Sequence, residues 1–79
     1  MNEKSLTNGP SVFSTGNLII FKDITESYQV SVYDVNGVML KSFIKNEDGA
    51  EIVITQSPVV IVKLVSSSGS VLSTKVLRN

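Results

Sequence analysis

A period of two narrows the fold more than any other feature of this chain. Short runs of apolar and polar residues alternate along most of its length, and no long stretch repeats them at helical spacing. Tyr28 to Asp34, YQVSVYD, places Val30 and Val32 on one face and Gln29, Ser31 and Tyr33 on the other. Val38 to Ile44, VMLKSFI, sets Val38, Leu40 and Ile44 opposite Met39, Lys41 and Phe43. Between these runs lies DVNG, where Asn36 and Gly37 are expected to take the positive φ angles of a tight hairpin turn.

The same pattern continues on both sides. AEIVIT alternates Ile52 and Ile54 against Glu51, Val53 and Thr55, after the turn signal Glu47-Asp48-Gly49. In SPVVIVKLVSSSGSVLSTKVLRN, Val60, Val62 and Leu64 share a face with Lys63 opposite. Beyond Ser66 to Gly69, Leu72 and Val76 share a face, with Ser73 and Lys75 opposite. Upstream, Leu18 to Phe21 is apolar on both faces, as in a strand buried mid-sandwich, and a short strand near Val12 to Ser14 precedes it across Thr15-Gly16-Asn17. About seven short antiparallel strands result, spaced as in a β-sandwich, so an all-β domain is expected over residues 11–79. The first ten residues are expected to be a disordered or linker segment.

At 79 residues there is room for one domain, and 42% apolar with 18% charged residues fits a folded chain with one modest core. Cysteine and histidine are both absent, which excludes disulfides, thiolate metal sites and Ser-His-Asp or Cys-His catalysis. Ser42 to Lys45, SFIK, has Ser-x-x-Lys spacing but sits in a predicted strand without companion motifs. There is no phosphate-cradling glycine loop, and Glu47, Asp48 and Glu51 lack the alternate-acid spacing of a calcium loop. No catalytic activity and no cofactor are expected.

Seven basic residues balance seven acidic ones, so no overall field draws the chain to nucleic acid or anionic lipid. The distribution is uneven: Lys22 to Glu51 carries six acids against three lysines, whereas only Lys63, Lys75 and Arg78 are charged beyond Glu51. Val59 to Val65 is too short to span a bilayer and is interrupted by Lys63. Pro58 and Lys63 flank or interrupt VVIV and would discourage edge pairing. The polar opening MNEKSLTNGP is unlike a secretory signal peptide, so the chain is expected to be either cytoplasmic or a piece of a longer precursor.

VSVYDVNGVMLKSF followed by VVIVKLVSSSGSVLSTKVLRN resembles the C-terminal sorting domains of the Bacteroidetes type IX secretion system. Such domains show an apolar strand leading to Tyr-Asp-x-x-Gly, then a Leu-Pro-Ala-Gly-Val-Tyr-Ile-Val-Lys-Val strand, a Gly-containing turn and a final Lys-Val-x-x-Lys/Arg strand. Tyr33, Asp34 and Gly37 match the hairpin motif, and Ile61, Val62, Lys63 and Leu64 the penultimate strand. Gly69 matches the last turn, and Lys75, Val76 and Arg78 the closing strand. Pro58 and Val60 depart from the Gly and Tyr that the pattern prefers.

The resemblance implies an immunoglobulin-like β-sandwich joined to an upstream cargo domain. It further implies export through the periplasm to the cell surface or medium, recognition by an outer-membrane translocon, and removal by a sortase-like protease. Partner recognition is then expected at Lys63, Lys75, Val76, Leu77 and Arg78. Tyr33, Asp34, Asn36, Gly37 and Gly69 are expected to serve the turns. A different reading is an immunoglobulin-like accessory or adhesin end-domain that stays on a surface protein, and a third is a standalone cytoplasmic β protein.

Overall fold

The computed structural model describes residues 9–78, and most of the segment expected to be unstructured therefore lies outside the described residues. Seven strands run β1 (Ser11–Thr15), β2 (Leu18–Lys22), β3 (Tyr28–Tyr33), β4 (Met39–Lys45), β5 (Gly49–Ile52), β6 (Val59–Ser66) and β7 (Val71–Leu77). All pairings are antiparallel, in a three-stranded sheet of order β1-β2-β5 and a four-stranded sheet of order β4-β3-β6-β7. This is the connectivity of an immunoglobulin-like sandwich. Alternation explains the layering, because each strand can turn one row of side chains inward and leave the other outside.

The core fills the space between the sheets. Phe21, Ile19, Leu64, Val30, Val32, Val60 and Val62 are its largest fully buried side chains, joined by Ile24, Tyr28, Val53 and Val76. Phe21 meets Phe43 edge to face at 5.8 Å, linking the two sheets through their aromatic rings. Burial, with the charge of Glu26 adding to it, raises the pKa of the Tyr28 hydroxyl. β2 is the central strand of its sheet, but only Ile19 and Phe21 enter the core, while Leu18 and Ile20 stand half-buried on the outer side.

Two strands depart from the expected faces. In β4, Val32 pairs with Lys41 but Tyr33 pairs with Met39, so Leu40 is the extra residue of a bulge. A one-residue bulge reverses every side chain beyond it. Lys41, Phe43 and Lys45 consequently turn inward and Ile44 is 67% exposed, correcting the expected grouping of Val38, Leu40 and Ile44. In the β5 region Val53 is buried and Glu51 half-buried, whereas Ile52 and Ile54 face solvent.

Lys45 and Glu51 explain part of this inversion. Lys45 Nζ donates to Glu51 Oε2 at 3.0 Å, and Lys41 lies 3.7 Å from the same carboxylate while donating to the carbonyl of Ile52. Lys41 also approaches the Phe43 ring, and Lys45 the Phe21 ring. The side of the sandwich between β4 and β5 is thus tied by charge. On the opposite side, Ser14 Oγ donates to the Leu77 carbonyl between β1 and β7.

The hairpins β3-β4 and β6-β7 have the same construction. Asp34 N–H donates to the Val38 carbonyl and Gly37 N–H to the Asp34 carbonyl; Ser66, Gly69 and Ser70 repeat both bonds. The Asp34 carboxylate accepts from the Asn36 and Val38 amides, and Ser66 Oγ accepts from the Ser70 amide. Gly37 at φ 85° and Gly69 at φ 96° supply the left-handed residue. Asn36 does not share it, contrary to expectation. The side-chain bond from Asp34 supports a three-residue turn, which leaves a positive φ at the glycine alone.

Candidate recognition surface

β7 is an edge strand, and its register determines which peptide groups are unpaired. Ser66 N–H donates to Ser70 C=O and Arg78 N–H to Pro58 C=O, so the hydrogen-bonded pairs along β6-β7 fall on even-numbered residues. The peptide groups of Val71, Ser73 and Lys75 therefore point away from β6. At Leu77 the outward carbonyl is already taken by Ser14 Oγ. Val71 to Lys75 is the stretch open to pairing with another strand.

The same odd-numbered residues set their side chains on the outer face of the larger sheet. Ser73 stands opposite Lys63 and Lys75 opposite Ile61, so the two exposed lysines are diagonal neighbours, about 7–8 Å apart at their Cα atoms. The strands β3, β4, β6 and β7 contain four lysines and no acid. Lys41 and Lys45 turn to Glu51 at the side of the sandwich, and among the described residues no carboxylate bridges Lys63 or Lys75. Beside Lys75, an open cleft of about 400 Å³ is bounded by Val35, Val59, Ile61 and Leu77. Leu77 is 72% exposed there.

Val76 and Arg78 lie elsewhere. Val76 points into the core at 4% exposure, which takes its side chain out of a partner's reach in the folded domain. The guanidinium of Arg78 donates to the carbonyls of Thr55, Ser57 and Gly16 and to Asn17 Oδ1. It joins the β1-β2 turn to the segment before β6, so the expected three-cation docking face reduces to Lys63 and Lys75. No side-chain period signals this role in the sequence, because the carbonyls come from two loops distant along the chain.

The remaining sequence candidates fall into place by register. Tyr33 is not in the turn: it ends β3 on the outer face, in one row with Met39, Ile61 and Lys75. β6 is a central strand between β3 and β7, so Lys63 does not guard an edge; Lys75 occupies that position instead. Ser42 is exposed on the outside of β4 and accepts from Gln29, whereas Lys45 turns inward, so the two do not share a site. Asp48 accepts the Ile24 amide at 2.8 Å, and Glu51 faces the lysines. Sequence reasoning missed the cleft, whose walls come from the loop after β3 and the ends of β6 and β7.

No protein-family profile, curated protein or solved structure matches this chain.

Proposed function

We propose that the chain is a non-catalytic sorting domain of the type IX secretion kind, joined to a cargo protein and read by an outer-membrane translocon. One observation carries the reading: β7, which bears the closing-strand motif, is a sheet edge with outward peptide groups from Val71 to Lys75. An edge strand offers a generic hydrogen-bonding ladder, and the unpaired ammonium groups of Lys63 and Lys75 on the adjoining face give it a sign. A domain read in this way needs no catalytic side chain. Removal by a sortase-like protease belongs to the same proposal.

The test is a fusion to a periplasm-directed reporter in a host with type IX secretion. Deleting the closing strand would also remove Val76 from the core and Arg78 from its loops, confounding recognition with folding. Ser73→Pro is cleaner, since it removes an outward N–H without breaking the β6-β7 ladder. Wild-type fusion should reach the medium. Ser73→Pro and the double variant Lys63→Gln/Lys75→Gln should remain folded yet be retained. Retention of the wild-type fusion, or normal release of both variants, overturns the reading.

A second reading rests on the outer face of the smaller sheet. Phe13, Ile20 and Ala50 form one cross-strand row, and Leu18 and Ile52 stand in the next, where a sandwich ordinarily turns polar residues to water. A structural module that stays packed against a neighbouring domain would use such a face. Mass spectrometry of the mature native protein separates the readings: a sorting domain is missing from it, and a retained module is present.

A further inference from the structure

We infer that the outer face of the larger sheet holds a side-chain-specific site for a short extended segment carrying an apolar residue and an acidic residue two positions apart. The inference rests on the sorting reading and names the chemistry of the partner. The apolar side chain enters the cleft between Val35, Val59, Ile61 and Leu77, and the carboxylate meets Lys75 at its rim. The spacing follows from strand geometry, since residues i and i+2 of an extended chain share a face about 6.6 Å apart.

Three observations select this occupant. The cleft walls are apolar, and the exposed Val35 and Leu77 are partly uncovered, so burial of an apolar side chain stabilises a complex. The four strands of this sheet contain no acid, so Lys63 and Lys75 are complementary to a carboxylate and repel a basic segment. The outward peptide group of Lys75 is unpaired at the cleft, and those of Ser73 and Val71 continue the same edge away from it, which suits an extended backbone. A lipid surface fits less well, because the face has two lysines and polar serines between its apolar groups.

The probe is a threonine-rich synthetic peptide carrying leucine and glutamate two positions apart, titrated into the ¹⁵N-labelled full chain. Amide shifts are expected at Val35, Ile61, Ser73, Lys75 and Leu77. Lys75→Glu should weaken binding at least tenfold, and a peptide with lysine in place of glutamate should bind that variant better than it binds wild type. Leu77→Ser should weaken both pairs. No saturable shift at millimolar peptide, no effect of Lys75→Glu, or no recovery with the charge-reversed peptide overturns the inference. Shifts that instead follow protein concentration, marking self-pairing, or that arise with anionic vesicles and not with peptide, also overturn it.

The export assay keeps this outcome distinct from that of the underlying reading. If Lys75→Gln/Lys63→Gln abolishes reporter release while no peptide binds, the sorting reading stands and the apolar-acidic segment falls. If the peptide binds with charge reversal while the wild-type reporter is retained, the segment site stands and sorting falls.

Discussion

The guanidinium of Arg78 donates to the side-chain oxygen of Asn17, 61 positions earlier in the chain. The same group donates to the carbonyls of Thr55 and Ser57, and the Asn17 carbonyl accepts from the Val53 amide. Arg78 therefore closes one end of the sandwich, drawing the β1-β2 turn, the segment before β6 and the end of β7 together. Its Nε is buried without a partner, so the arrangement depends on the Nη bonds.

Arg78→Ala is expected to destabilise the domain by about 2 kcal/mol, the range for loss of charge-assisted hydrogen bonds, and to lower Tm by roughly 10 °C. Arg78→Lys should recover less than half of this, because an ammonium cannot reproduce the planar fork. Urea unfolding measures both. An unchanged midpoint for Arg78→Ala would return the side chain to the candidates for partner contact.

The Lys45 and Glu51 pair can be broken on one side and then replaced whole. Glu51→Ala leaves the mostly buried Lys45 ammonium without its carboxylate and should cost about 2 kcal/mol, below the usual range for a fully buried pair because Glu51 is partly exposed. Lys45→Met with Glu51→Met should restore most of the loss. If the single and double variants are equally unstable, packing rather than charge governs that side of the sandwich.

The two matched hairpins should respond alike to loss of their glycines. Gly37→Val and Gly69→Val place a β-branched residue at φ 85° and 96°, each costing about 1–2 kcal/mol or more. Asp34→Ala should cost about 1 kcal/mol through the lost turn bonds. Thermal unfolding compares the sites, and a Gly37→Val variant as stable as wild type would contradict this turn geometry.

Acid should weaken the fold in part through Asp48. The Ile24 amide donates to its carboxylate and lowers its pKa; burial opposes this, while a bond from the Asp23 backbone and the charges of Lys22 and Lys45 add to the lowering. An unfolded aspartate titrates at about 3.9, so the unfolded state binds the proton first as pH falls. The stabilisation is present above that value and is lost as pH falls through the lower folded value. Urea midpoints between pH 7 and 2.5 should fall less steeply for Asp48→Asn, which starts from lower stability at pH 7. Identical slopes would remove Asp48 from the acid response.

Seven strands, the glycine turns and the inward rows of β3 and β6 were legible in the residues, since alternation and turn chemistry act over only a few positions. Val30, Val32, Val60, Val62 and Leu64 face inward as their spacing predicts. The outward turn of Ile44 was not legible, because a bulge at Leu40 leaves no local period and depends on pairing with β3. Nor was the division of the cations: Lys63 and Lys75 stay on the outer face, whereas Arg78 meets carbonyls from two distant loops.

By itself, then, the sequence determined the strand period, the positions of the reversals and the absence of histidine and cysteine chemistry. Only the tertiary structure decided which strand became an edge, which isoleucines met water and which cations remained available. Local alternation specifies two faces but not which face is buried; that choice comes from the energy of packing and pairing segments far apart in the chain.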